Sequence, residues 1–504
     1  MTTDNPIVNT PTPTSLKPAA AVEEEPTVML GSPMAIVDGV SFSSGDNWTN
    51  WANSLSATPE RLFYPNTLED LQVIIREATE NKKKVRCVGN GHSWSGTAIT
   101  QDYMVSINNM NRIEKPVKGK DDEEWTVTIE MGVEVKELDE YLRKHDPPLA
   151  LASNVMPTDI RYGGILTMGC HGAGLDSKTV SDTLTEITIV NAYGELHIYS
   201  EADDAEAFNI ACINLGLLGI IYTATLKLVP MSQYRLRAID SYEPLANYFE
   251  GPGAGLKLKE MVLKNDSTEI LYWPHDKFLQ TERNPHFWLK QWRRTLDPVE
   301  DLDKLKNQPP AVDHPAFAAF KVGEIVKEIP DAVHFDVTED GEGTGEAKLF
   351  DASAGFKLAP DFSNFVECFN DLVEKNHAFS TSEFPSRIAT CLEVRFIRAS
   401  SKMMSFVHDA EEPEAIYCMI NILGGRETPG FVEYSQGVLS GWIDKYNAKP
   451  HWAKLWEQIP GVIPALRREY KDRLAVLNRV RKTQDPFDMF VNDTWRLLLE
   501  ERED

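Results

Sequence analysis

The alternation of apolar and polar residues divides the chain into a tail, a stretch of mixed helices and strands, and a later stretch of longer strands. Leu68, Leu71, Ile74, Ile75 and Ala78 share one helical face, and Thr67 with Asp70 three residues on gives that helix a capping box. A short apolar strand, Val85 to Val88, follows. Tyr103 to Ile107 and Trp125 to Ile129 read as strands, and Val135 to Leu142 as a second amphipathic helix. Glu186–Val190 and Glu195–Tyr199 pair as a hairpin about Ala192-Tyr193-Gly194. A helix over Glu206–Leu215 then leads to a β-branched strand, Ile220–Val229, closed by Pro230. Further on, Ser267–Trp273 and Ala389–Arg398 are the clearest strands, and Leu466, Tyr470, Leu474 and Leu477 mark a late helix. Strands and helices mixed with hairpins predict an α+β protein.

Before Tyr64 the periodicity is missing. Residues 1–45, rich in Thr, Pro, Ala and Glu, read as a disordered tail, with order beginning near Asn47–Trp51. The tail has neither the basic start and apolar core of a signal peptide nor the low acidity of a transit peptide. With no apolar run long enough to span a bilayer, a cytoplasmic protein without a membrane span is expected. The net charge of −26 speaks against nucleic acid or an anionic membrane as partner and leaves a small-molecule substrate open. Six cysteines without a CxxC pair suggest buried thiols rather than a zinc site or disulfide framework. The histidines show no metal-ligand spacing, and no metal is expected.

Two glycine-rich stretches carry the candidate cofactor chemistry. The first, Gly89-Asn90-Gly91-His92-Ser93, follows directly on a strand; such a turn brings backbone N–H groups close to an anion. No helix follows it, so the dinucleotide fingerprint of a Rossmann fold does not apply. His92 alone reads first as a satisfied loop histidine. The second, Tyr162–Gly174, has five glycines in thirteen residues with His171 among them and is predicted to form neither regular helix nor strand. It reads either as a backbone lying against a flat ring or phosphate, or as turns around a core histidine.

In the strand Ala389–Arg398, period two sends Leu392, Val394 and Phe396 to one face and Glu393 and Arg395 to the other. A carboxylate and a guanidinium side by side can accept from and donate to a polyhydroxyl substrate, or form an ordinary ion pair on a solvated face. Lys449-Pro-His-Trp-Ala-Lys454 is a second cluster, which by itself suits packing at a helix start.

Four stretches in this order, Tyr-Pro-Asn-Thr before the first helix, Gly-Asn-Gly-His-Ser, Gly-Gly-Ile-Leu-Thr-Met-Gly-Cys-His-Gly and Leu-Gly-Leu-Leu-Gly-Ile-Ile, resemble the FAD-binding domain of the vanillyl-alcohol oxidase superfamily. Within it the chain is most similar to the sugar-lactone and alditol oxidases, and its His-Trp-Ala-Lys resembles their His-Trp-Gly-Lys element, with Ala453 in place of glycine. The resemblance implies a two-subdomain FAD-binding (PCMH-type) domain over 58–230, a cap over 231–445 with an antiparallel sheet and flanking helices, and a C-terminal return over 446–504. It implies FAD held by Val88, Gly89, Asn90, Gly91, His92, Ser93, Gly163, Gly164, Gly169, His171, Gly172 and Ile220, with the flavin attached covalently to His92 through its 8α-methyl. Glu393, Arg395 and Lys454 become catalytic residues, the lysine beside the flavin N1–C2=O edge.

The implied reaction is oxidation of an alcohol or lactone carbon of a sugar-derived substrate, with hydride passing to flavin N5 and O2 or another acceptor reoxidising the flavin. An aromatic or secondary-metabolite alcohol is the alternative substrate, left open by Trp273, Phe287 and Trp288. A non-catalytic flavin scaffold would have no need of Glu393, Arg395 and Lys454 together. The position over the flavin that admits or blocks oxygen aligns to Val155 without a gap, or to Ala152 with a three-residue insertion; the ungapped register predicts an enzyme that prefers another acceptor.

Overall fold

The computed structural model describes residues 34–119, 124–152, 154–273, 286–301, 306–307, 321–334, 349–382, 389, 391–425 and 428–500. The acidic run at 339–346 and most of the N-terminal tail lie outside these residues.

The first sheet has five strands, Ala35–Val37, Val40–Ser43, Arg61–Phe63, Tyr103–Ser106 and Val85–Val88 in spatial order. The last three run parallel. The helix Leu68–Asn81 begins as the sequence predicts: the Asp70 amide donates to the Thr67 hydroxyl at 3.1 Å, and the Asp70 carboxylate accepts from the Thr67 amide at 3.2 Å. Leu71, Ile74, Ile75 and Ala78 are all buried against the sheet with Phe63, Val85 and Tyr103. A tail through residue 45 does not describe Ala35–Val37 and Val40–Ser43. They form a hairpin about Asp38 and Gly39, both at positive φ, and Val40 is buried in the same cluster. Strands this short have too few residues to show a period.

The second sheet orders Leu196–Ser200, Leu184–Val190, Ile220–Pro230, Trp125–Glu130 and Val117–Lys118, with Leu149–Ala150 paired to Ile220–Pro230. The helix Val135–Arg143 matches the sequence expectation to within a residue. The helix expected over 206–215 is shorter, Ala205–Ala211. Asp204 caps it, and Leu215 and Gly216, both at positive φ, turn the chain beyond it. Tyr162–Thr167 corrects the expectation of no regular structure, for it is a short helix. Gly163 stands there because a Cβ would lie 2.7 Å from Ile107 Cδ1, and burial of Tyr162, Ile165 and Leu166 offsets the helix cost of glycine.

The third sheet is antiparallel and has nine strands: Lys306–Asn307, Lys321–Lys327, Arg235–Pro244, His286–Thr295, Ser267–Tyr272, Cys391–Arg398, Ile416–Gly425, Leu349–Lys357 and Lys449–Pro450. One face is apolar: Ile270, Leu289, Leu392, Val394, Phe396, Ile420, Ile422 and Ala354 pack with Leu258, Phe365, Phe369, Val438 and Trp442 of the helices Ala254–Leu263, Ser363–Ser382 and Phe431–Tyr446. The other face carries Glu269, Lys290, Asp351, Ser353, Glu393, Arg395 and Asn421, all buried, beside the apolar Leu271, Trp288 and Met419.

After Lys449–Pro450 the chain returns to the first sheet. The late helix is two, Val462–Glu469 and Lys471–Gln484, joined at Tyr470. Asp485 then accepts from the amides of Met489 and Phe490 at 2.8 and 2.9 Å. The buried Arg86 guanidinium donates to the carbonyls of Leu215, Gly216 and Phe490, tying the end of the chain to the strand that enters the first glycine loop.

Candidate active site

A cleft of about 1130 Å³, open solvent at its mouth included, runs between the two glycine-rich stretches. Val88, Gly89, Asn90, Gly91, His92, Ser93, Gly163, Gly164 and Ile220 line it. Gly169, His171 and Gly172 do not. Gly169, at φ +64, packs on Ile213, while the His171 ring packs on Phe406 and His451.

The first loop is held by its neighbours. Gly91 has φ +73, and a Cβ there would lie 3.2 Å from both Asn50 Cα and Trp51 N. The Trp51 amide donates to Gly91 O at 2.9 Å and Asn50 Nδ2 to Ser93 O at 2.9 Å. Asn90 accepts from Arg161 Nε at 2.8 Å and donates to Glu134 at 2.9 Å, and Arg161 pairs with that carboxylate at 2.9 Å. Lys136 and Asn90 draw the Glu134 carboxyl below its usual range against the opposing effect of burial, which is the largest single influence on it. His92 stacks on Trp51, centroids 5.1 Å apart and 23° between planes. Its Nε2 is buried and lies 3.3 Å from the Asp159 carboxylate.

These walls fit a flat dinucleotide such as FAD. A Cβ built on Gly164 would meet no atom within 4 Å, which leaves the backbone bare toward open space. Val88, Ile107, Met131, Ile165, Met168 and Ile220 supply an apolar bed, and Arg86, whose guanidinium is lowered to about 10 by burial, lies in the same wall.

Ala453, on the cleft wall, is followed by Lys454, which pairs with Asp351 on the polar residues of the cap sheet. Strand register sets Lys290 opposite Glu269, Glu269 opposite Arg395, Glu393 opposite Asn421 and Asn421 opposite Ser353. Arg395 Nη2 donates to Glu393 at 2.6 Å, and its Nε is 3.3 Å from Glu269. Asn421 donates to the other Glu393 oxygen at 3.2 Å and accepts from Ser353 at 2.7 Å. Glu393 is 5% exposed and Arg395 9%, so the solvated ion-pair reading does not hold. Burial raises the Glu393 carboxyl, an effect that Arg395 opposes and the Glu269 and Asp351 charges reinforce.

Lys454 meets this face from the C-terminal return. It pairs with Asp351, and its Nζ sits 4.3 Å from the centre of the Trp94 ring. Trp94 N donates to Ala453 O at 2.8 Å and Ser95 Oγ to Trp452 O at 2.7 Å, so the glycine loop and the lysine segment are sewn together. His171 and His451 lie alongside, ring centroids 5.8 Å apart. Burial pushes His171 down to about 3 and His451 well below the usual imidazole range, aided by the Arg395 and Lys454 charges, and both rings are neutral. Among the described residues, Glu269 Oε2 and Asp351 Oδ1 are buried acceptors without a hydrogen bond.

Glu269, Lys290, Asp351 and Asn421 escape the sequence reading because each needs strand register to reach Glu393. Val155 is 4% exposed in the main core and Ala152 half-buried, and neither lines the cleft.

Residues 59–200 match the family described as FAD binding domain, and residues 358–497 the family described as D-arabinono-1,4-lactone oxidase. L-gulonolactone oxidase of Bos taurus is 31% identical over 233 residues, 46% of this chain and 50% of that protein. D-arabinono-1,4-lactone oxidase of Candida glabrata is 32% identical over 181 residues, 36% of this chain and 34% of that protein. The chain thus spans half the length of the first relative and 34% of the second. Among solved structures, cholesterol oxidase from B. sterolicum superposes with a TM-score of 0.74 at 17% identity, covering 93% of this chain and 100% of that one. For 6-hydroxy-D-nicotine oxidase from Arthrobacter nicotinovorans the TM-score is 0.61 at 14% identity, covering 89% and 92%. At such identities the likeness shows the fold alone, a flavin-binding domain with an antiparallel-sheet cap.

Proposed function

We propose that this chain, a member of the vanillyl-alcohol oxidase superfamily with an FAD binding domain and a D-arabinono-1,4-lactone oxidase region, oxidises an alcohol or lactone carbon of an aldonolactone or polyol. Bound FAD supplies the hydride acceptor, N5, and passes the electrons on to O2 or another acceptor. Glu393 accepts from a substrate hydroxyl, and its carboxyl, raised by burial, is suited to take the proton that hydroxyl gives up. Arg395, held by Glu393 and Glu269, donates to neighbouring hydroxyls. Lys454 offers a fixed cation at the seam between cap and cleft, where negative charge develops during reduction. His92 carries the flavin covalently. The observation that supports this reading most is the buried cluster of Glu269, Arg395, Glu393 and Asp351, tied through Lys454 to Ala453 on the cleft wall.

Six free cysteines and the charge of −26 favour a reducing, water-borne setting, for which we infer the cytoplasm. Among the described residues no helix is long and apolar enough to cross a membrane. Steady-state turnover with aldonolactones, alditols and aromatic alcohols tests the substrate reading. Turnover with the first two classes supports it; turnover with aromatic alcohols alone points to the alternative substrate, and none at all to a non-catalytic flavin scaffold. Flavin fluorescence on a denaturing gel tests the link to His92, which all-free flavin would refute.

A further inference from the structure

Among the described residues, one carboxylate lies against the ring of His92. Asp159 Oδ2 is 3.3 Å from Nε2, on the loop that leads into the second glycine stretch. Its position is built rather than incidental. The Asp159 carbonyl accepts from Asn90 Nδ2 in the glycine loop itself, and Asn90 is in turn locked by Arg161 and Glu134. Trp51, stacked flat on the imidazole, fixes the plane of the ring. His92 and Lys136 hold the Asp159 carboxyl below its ordinary range despite partial burial, so it is an anion at neutral pH. With Nε2 turned to that anion, Nδ1 is the nitrogen left with a free lone pair.

We propose that Asp159 is the residue that activates His92 for covalent attachment of the flavin, with Nδ1 as the bonding atom; this rests on the attachment reading above. The bond forms between Nδ1 and the 8α carbon of FAD. That carbon loses one hydrogen and the imidazole loses the Nε2 proton. Both protons and the released electron pair reduce the flavin ring, and O2 takes two electrons and two protons away as hydrogen peroxide. Asp159 acts on the imidazole, which becomes cationic as the new bond forms: the carboxylate stabilises that charge and accepts the Nε2 proton.

The test is the rate at which flavin becomes acid-stable when FAD is added to protein from riboflavin-limited cells. It is followed by in-gel fluorescence and by flavin in the acid precipitate against the supernatant, for wild type, Asp159→Asn, Asp159→Glu and His92→Ala. Wild type should attach its flavin and His92→Ala should attach none. Asp159→Asn should attach about 100-fold more slowly, with Asp159→Glu recovering part of the rate. Both Asp159 variants should bind FAD to the stoichiometry of wild type. The Asp159 side chain is 53% exposed, so the asparagine variant should keep the wild-type circular dichroism. Attachment by Asp159→Asn at the wild-type rate would overturn the assignment while leaving His92 as the anchor. Complete release of flavin from wild type would overturn both.

Discussion

Replacing Arg395 with methionine removes the cation from a buried cluster and leaves its carboxylates in place. Arg395 is 9% exposed and touches Glu393 at 2.6 Å and Glu269 at 3.3 Å, and the other cation near Glu269 among the described residues is Lys290, at 3.9 Å. Removing one partner of a buried ion pair commonly costs about 3–5 kcal/mol, because the remaining charge keeps its desolvation penalty without its compensation. At roughly 2–4 °C per kcal/mol for a folding unit of this size, Tm should fall by about 6–20 °C.

The loss should also depend on pH. The folded-state pKa of Glu393 is already above its unfolded value, so the folded protein holds that proton more tightly. Stability is then fullest below the ordinary carboxylate range and declines as pH rises from that range to the raised one. Without Arg395 the carboxyl rises further and the decline deepens, so the difference from wild type should be small near pH 5 and largest near pH 8. Adding Glu393→Gln to Arg395→Met should restore part of the loss, because the unpaired charge is then gone. Scanning calorimetry of the three proteins at both pH values decides the matter. A Tm for Arg395→Met within about 2 °C of wild type at pH 8 would mean that water reaches this face and that the cluster is not buried in the working protein.

Lys454→Met should bind FAD as wild type does yet slow flavin reduction by about 100- to 1000-fold, the usual loss for one charge-stabilising group; wild-type reduction in stopped flow would remove Lys454 from the reaction. His92→Ala should release all its flavin under denaturation while its circular dichroism stays that of the parent, and retained fluorescence on the gel would mean another anchor. If Val155 bars oxygen, the wild type should reoxidise slowly in aerated buffer and Val155→Gly faster; rapid reoxidation unchanged by glycine would favour Ala152 at that position. Gly219→Ala should lower Tm and impair FAD binding together, since its Cβ would lie 2.2 Å from Val190 O at φ +144, and an unchanged Tm would refute that steric reading.

What the sequence discloses depends on how local each feature is. The helix Leu68–Asn81 and the strands Val85–Val88, Ser267–Tyr272 and Cys391–Arg398 carry their period and caps within a few residues, and they fold where expected. The helix Tyr162–Thr167 is hidden because two of its six residues are glycines, the first of them, Gly163, required by the approach of Ile107 and the Met131 carbonyl from elsewhere in the chain. Glu393 and Arg395 could be seen to share a face, but their burial could not, since that face is closed by Glu269, Asn421, Ser353 and Asp351 on other strands. Asp159 beside His92 is likewise a product of packing, because the loop that carries it meets the first glycine stretch across sixty-odd residues of chain, at Asn90 and at His92.

The central claim is that this polar face delivers a sugar-derived substrate to the flavin, and anaerobic reduction tests it most directly. The flavin-loaded protein, freed of oxygen, is mixed with an aldonolactone or an alditol while the flavin absorbance is followed. The account predicts bleaching that saturates with substrate and is lost in Glu393→Gln. A flavin that stays oxidised with every lactone and polyol, or that bleaches equally well in Glu393→Gln, would contradict it.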